Sequence, residues 1–315
     1  MKALLCTDGQ IRLVDVPKPV PGPHEVLIRV KMAGICNTDL EILAGYREFT
    51  GILGHEFVGV VESDPLGELT GKRVVSSITV FCGECWHCKC DETSHCLDRT
   101  TIGINERDGA FAEFIALPRG NLHVVPPKLS DIEAVLIEPL AAGMRVAEQV
   151  HIRQDHTVVV LGDGKLGLLT AKVLWTSHNN ITIVGKHADK LSLASSMGLR
   201  TAVLNEFTGP ADVVLDCTGS ISGMETAIKL VRSGGIIVLK TTIAGKYNID
   251  LSPIVVREIR VMGSRCGPFA STLALMERQN LDLPHMVESI YPLAHGVEAF
   301  NHARRKGALK ILLSI

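Results

Sequence analysis

Cys36, His55 and Glu56 offer a thiolate, an imidazole and a carboxylate within one short stretch, three donor types that zinc accepts. They lie in Gly34-Ile35-Cys36-Asn37-Thr38-Asp39 and, after a short polar and aromatic segment, in Gly54-His55-Glu56. A catalytic zinc takes three protein ligands and keeps one position open. These three side chains are therefore expected to hold such an ion, completed directly or through a water by Glu138. Asp39 is better placed to orient His55 through its other ring nitrogen than to ligate, and it can cap a helix at the same time. Thr38 brings a hydroxyl that could contact a substrate oxygen and pass its proton toward solvent, with Glu41 further along that path.

A second donor set is Cys82-x2-Cys85-x2-Cys88-x7-Cys96. Four thiolates at this spacing close tetrahedrally on zinc and leave no open position, so the site is structural. Cys90 falls outside the rhythm. Gly162-Asp163-Gly164-Lys165-Leu166-Gly167 follows a β-branched run at 157–161 and opens a helical pattern. In that context the glycines permit a tight turn and bring backbone N–H groups to a pyrophosphate at the helix N-terminus. About 20 residues on, NAD-binding folds place an acidic residue against the adenosine ribose. Here that place holds Gly185, followed by Lys186 and His187. A missing carboxylate with a cation beside it favours NADP over NAD.

Two kinds of chain must position these groups. Residues 1–135 show the period of half-buried strands, with Val26, Ile28, Val30 and Met32 alternating with Leu27, Arg29 and Lys31. Further β-type runs at 57–61, 73–78 and 111–116, punctuated by glycine, suggest a closed or partly closed barrel. From about 138, strands at 157–161, 181–184, 213–215, 236–239 and 260–262 alternate with helical patterns at 165–176 and 188–197, which predicts a parallel sheet covered on both faces. The tail returns to β-type segments at 290–293 and 308–313, so it can rejoin the first domain.

The 315 residues suit two domains. A formal net charge of -2 gives no reason to expect nucleic acid or an anionic membrane surface as a partner. No apolar run approaches the roughly 20 residues of a membrane span, and the N-terminus turns polar too soon for a signal peptide. Nine cysteines, five of them between Cys82 and Cys96, suit a metal site in a reducing compartment better than a disulfide framework. A cytoplasmic protein is expected.

The motifs above, with Glu138-Pro139-Leu140 and Asp216-Cys217-Thr218-Gly219, occur in the order of the zinc-dependent medium-chain alcohol dehydrogenases, and the resemblance runs along the whole chain. The Glu-Pro-Leu and Cys-x-Thr-Asp forms resemble the polyol, sugar and threonine dehydrogenase branch. Glutamates stand where a second thiolate ligand would be sought. The resemblance implies an α/β protein: a GroES-like β-barrel catalytic domain (1–138, with the zinc lobe at 82–96), a Rossmann doubly wound parallel sheet (139–268), and a C-terminal segment (269–315) returning to the catalytic domain. It implies two zinc ions, NADP or NAD lying in the cleft, and homodimers or homotetramers. Cys217, Thr218 and Gly219, with Ser264, Arg265 and Cys266, would approach the nicotinamide half. The chain is shorter than most relatives around 45–54, so its substrate pocket, for which Tyr46, Phe49, Ile78 and Arg265 are candidates, would be unusually open or small.

The expected activity is reversible oxidation of a secondary alcohol, polyol or sugar-like, by zinc-assisted hydride transfer to a nicotinamide. The competing possibilities are a metal-independent NADPH-dependent enone or quinone reductase of the same fold, and a non-catalytic zinc and dinucleotide binder.

Overall fold

The alternation that begins at Val26 becomes the strand Glu25–Gly34, the centre of a seven-stranded sheet. The computed structural model describes residues 1–46, 48–240, 242 and 248–315. They divide into two compact units, Met1–Glu138 with Phe269–Ile315, and Pro139–Pro268.

In the first unit, Glu25–Gly34 pairs antiparallel with Glu56–Ser63 on one side and with the C-terminal strand Lys310–Ser314 on the other. The register sets Gly34 opposite both Glu56 and Leu312. Three chain segments far apart in sequence thus end at one place. Beyond Gly34 the strand gives way to the helix Asn37–Leu43, with Cys36 in extended conformation just before it. That helix and Asp131–Val135 interrupt the expected all-β run. The strand expected at 111–116 is Phe114–Pro118, because Phe111 is instead a fully buried core side chain in edge-to-face contact with Phe300, 5.6 Å between centroids. Such a pair adds about 0.5–1.5 kcal/mol beyond its buried area. Residues 2–15, which periodicity leaves unassigned, form a hairpin of Lys2–Thr7 and Gln10–Asp15. Its Asp8-Gly9 turn has both φ values positive, 51° and 70°, the conformation that two-residue hairpins favour.

The second unit carries six strands, all parallel: Val158–Leu161, Ile181–Gly185, Arg200–Val203, Ala211–Asp216, Val231–Leu239 and Arg260–Gly263. Counted in chain order they lie across the sheet as 3-2-1-4-5-6. The four residues of the first strand are all buried, as a strand covered on both faces requires. Strand order reverses between the first and fourth strands, and in open α/β sheets ligands bind outside the carboxyl ends at such a point. Arg200–Val203, an edge strand whose residues are exposed or half-buried, lacks the apolar pattern that would announce it.

Candidate metal and dinucleotide sites

Sheet register delivers the first three donors. The metal-binding atoms of Cys36, His55 and Glu56 lie within 4.8 Å of one another. His55 is 3% exposed and Glu56 1%. Buried polar atoms normally carry hydrogen bonds, yet Glu56 Oε1 meets no such partner among the described residues. A buried cluster of sulfur, nitrogen and carboxylate donors with an unsatisfied oxygen is what a divalent cation completes, so the residues fit zinc.

Asp39 is fully buried and serves two neighbours. Its Oδ2 accepts from the Cys36 amide at 2.8 Å, and Oδ1 stands 3.4 Å from His55 Nδ1. The ring is thereby turned so that Nε2 remains for a metal. Burial alone would lower the His55 pKa, but Asp39, and Cys36 after it, raise it well above the usual imidazole value. The Thr38 hydroxyl lies 3.7 Å from Cys36 Sγ, and Glu41 Oε1 accepts from the Asn37 side-chain Nδ2 at 3.4 Å. Glu138, expected to complete the site directly or through a water, does not fall within the 4.8 Å cluster. Of the pocket candidates, Ile78 is buried and Phe49 leans on the core of the first unit, while Tyr46 is half-buried. Arg47, in the shortened 45–54 segment, lies outside the described residues.

Lys310 has no counterpart in the expectations. It is 2% exposed, pairs with Glu56 Oε2, and donates to the Ile35 carbonyl at 3.2 Å. Burial would lower its pKa, but the attraction of Glu56, Cys36 and Glu138 outweighs this and leaves it raised. A lone cation opening the apolar run Ile311-Leu312-Leu313 was its only signal in the chain.

Cys82, Cys85, Cys88 and Cys96 form the other cluster. Their sulfurs approach at 3.5 Å (Cys85 and Cys88), 3.5 Å (Cys96 and Cys82) and 4.0 Å (Cys82 and Cys88). Zinc–sulfur bonds of about 2.3 Å arranged tetrahedrally place sulfurs about 3.8 Å apart, so this set fits the ion as well. Backbone amides of Leu97 and Cys88 pull the Cys85 thiol down to about 6. Cys90 is exposed and stands outside the cluster.

In the second unit the glycine loop bridges the point where strand order reverses. Gly162 has φ +117°, and a Cβ there would meet the Cys217 carbonyl at 2.8 Å. Gly164 starts the helix Lys165–Trp175, and its Cβ direction is open, the space a pyrophosphate needs beside the first-turn amides of Lys165, Leu166 and Gly167. Across the reversal, Thr218 donates from its amide and hydroxyl to Asp216 Oδ1 at 3.0 and 2.7 Å. Gly219 follows with φ +64°, and burial pushes the Cys217 thiol up to about 12. The buried Lys240 holds the next strand ends together, donating to Ala142 O, Arg265 O and Ser264 Oγ at 2.6, 3.0 and 3.3 Å.

The place where the sequence offered only Gly185 is not without a carboxylate. A Cβ on Gly185 would lie 2.4 Å from Asp163 Oδ2. Asp163, from the glycine loop itself, accepts there from the amides of Lys186 at 2.7 Å and His187 at 2.8 Å. The strand end therefore has a carboxylate beside it as well as the exposed Lys186.

The alcohol dehydrogenase GroES-like domain matches residues 22–127, and the zinc-binding dehydrogenase pattern matches 165–279. A sorbitol dehydrogenase of Halalkalibacterium halodurans is 30% identical, the match covering 100% of this chain and 99% of that one. D-arabitol-phosphate dehydrogenase of Enterococcus avium is 29% identical over 96% of this chain and 94% of its own. A solved structure from Sinorhizobium meliloti 1021, bound to NADP, superposes with a TM-score of 0.91 at 27% identity, covering 100% of this chain and 99% of that one. With a relative this similar along the whole length and both family domains in their proper order, the chain belongs to the zinc-dependent medium-chain alcohol dehydrogenases and is an NAD(P)-dependent enzyme.

Proposed function

We propose that the enzyme reversibly oxidises a secondary alcohol, a polyol or sugar-like molecule, with the convergence of Cys36, His55 and Glu56 as the observation that carries the chemistry. The named relatives, a sorbitol and an arabitol-phosphate dehydrogenase, support the substrate class. These three residues would hold a zinc, which would supply Lewis acidity toward a substrate oxygen, with the nicotinamide as hydride acceptor. Asp39 keeps His55 in the orientation that presents Nε2. Thr38, beside Cys36, takes the hydroxyl proton of the substrate and passes it outward, with Glu41 next along the helix. Glu138 contributes through a water. Lys310 occupies one oxygen of Glu56, so this carboxylate has a partner whether or not it ligates.

The cysteine lobe carries the second zinc, and the nine unbridged thiols support a reducing, cytoplasmic setting. The strand Arg260–Gly263, at the sheet edge among the described residues, with Val255 and Val256 exposed at 75% and 80% just before it, supports a dimer or tetramer. A solution mass of one chain by light scattering would contradict that.

Cys36→Ser tests the site. Two zinc ions per chain are expected in the wild type and one in the variant, with activity on a panel of polyols and secondary alcohols falling by several powers of ten. Undiminished turnover with one zinc per chain would overturn the mechanism.

A further inference from the structure

The carboxylate of Asp163 sits where the side chain of residue 185 would be. A Cβ added to Gly185 meets Asp163 Oδ2, Cβ and Cγ at 2.4, 2.6 and 2.7 Å, so the two positions compete for one volume. The side chain of Asp163 is 8% exposed, and it is held from three sides. Oδ2 accepts from the backbone amides of Lys186 and His187, and the His187 Nδ1 lies 3.0 Å from Oδ1 and 3.1 Å from Oδ2. Burial would raise the carboxyl pKa, but His187 and the two amides outweigh it and hold Asp163 below the usual range, hence ionised at neutral pH. A carboxylate offers about four lone-pair positions, and among the described residues Oδ1 has the His187 ring alone as its partner.

We propose that Asp163 reads the adenosine ribose of the cofactor in place of the absent acid at position 185, and so makes the enzyme prefer NAD over NADP. A 2′- and 3′-hydroxyl pair can donate to Oδ1, whereas a 2′-phosphate would bring roughly two negative charges against a buried carboxylate that cannot turn away. Lys186 does not reverse the sign. It is exposed, and a solvated lysine contributes little to a pair, while Asp163 is fixed. The turn toward Gly185 also removes the acid from the pyrophosphate that the same loop cradles. The assignment rests on the dehydrogenase function proposed above.

Binding of NADH and NADPH is measured by fluorescence and calorimetry on the whole protein, without substrate. Wild type is expected to bind NADH about tenfold to a hundredfold more tightly, the range for hydrogen bonds to a charged group. Asp163→Asn should weaken NADH, strengthen NADPH and collapse that ratio. Merely bracing the loop would weaken both equally and leave the ratio unchanged. The exchange Asp163→Gly with Gly185→Asp, which returns the acid to the strand end and removes every side-chain atom that would meet its Cβ, should restore NADH preference. Gly185→Asp alone should bind poorly, because the two carboxyls collide. NADPH bound as tightly as NADH by the wild type, or a ratio unmoved in Asp163→Asn, overturns the assignment while leaving a dinucleotide enzyme. Failure to bind either dinucleotide overturns the function as well.

Discussion

Replacing Lys310 by Met removes one charge from a pair whose members are 2% and 1% exposed, and leaves the aliphatic volume nearly intact. Breaking a buried pair by deleting one partner costs about 3–5 kcal/mol. For a unit of this size, about 2–4 °C per kcal/mol places the Tm loss of the metal-free variant at roughly 6–20 °C. Zinc beside Glu56 would supply the missing cation, so the loaded variant should lose less. Scanning calorimetry of metal-free wild type, Lys310→Met and the double variant Lys310→Met with Glu56→Gln resolves this, the double variant recovering most of the loss. A single variant within about 1 kcal/mol of wild type at neutral pH would refute the claim that Glu56 depends on this lysine.

His55, with its pKa raised by Asp39 and Cys36 over the opposing effect of burial, holds a proton at neutral pH that zinc must displace. Zinc affinity of the Cys36 site should therefore rise with pH between 6 and 8, more steeply in wild type than in Asp39→Asn, as read by zinc competition assays; equal slopes would contradict the role of Asp39. A Cβ at Gly167 would lie 2.0 Å from the Gly162 carbonyl oxygen, so Gly167→Ala should destabilise the second unit by about 1–3 kcal/mol and weaken NADH and NADPH alike. An unchanged melting curve would show that the loop tolerates the methyl.

Features whose cause is local were legible in the chain. The thiol spacing from Cys82 to Cys96 works because a tetrahedral site is built within one lobe. The glycine loop is recognisable because a strand, a tight turn and a helix N-terminus are consecutive. The period-2 and helical patterns located the central strands and the helix Lys165–Trp175 within a residue or two, since burial on one or both faces imposes composition directly. Even Cys36, His55 and Glu56 could be singled out by residue type.

What tertiary structure decided is which distant groups share a volume. Lys310 meets Ile35 and Glu56 only because the C-terminal strand docks beside Glu25–Gly34, a pairing across 275 residues that no spacing encodes. Glu138, in the first turn of the helix Ile137–Gln149, matches its motif and lies outside the cluster. Asp163 looked like an unremarkable loop residue and Gly185 like a lost acid. Only the adjacency of two parallel strand ends shows the one filling the space of the other. Sequence specifies the donors and the elements through local chemistry; charge balance and cofactor choice depend on nonlocal contacts, which exist only once register and packing have closed.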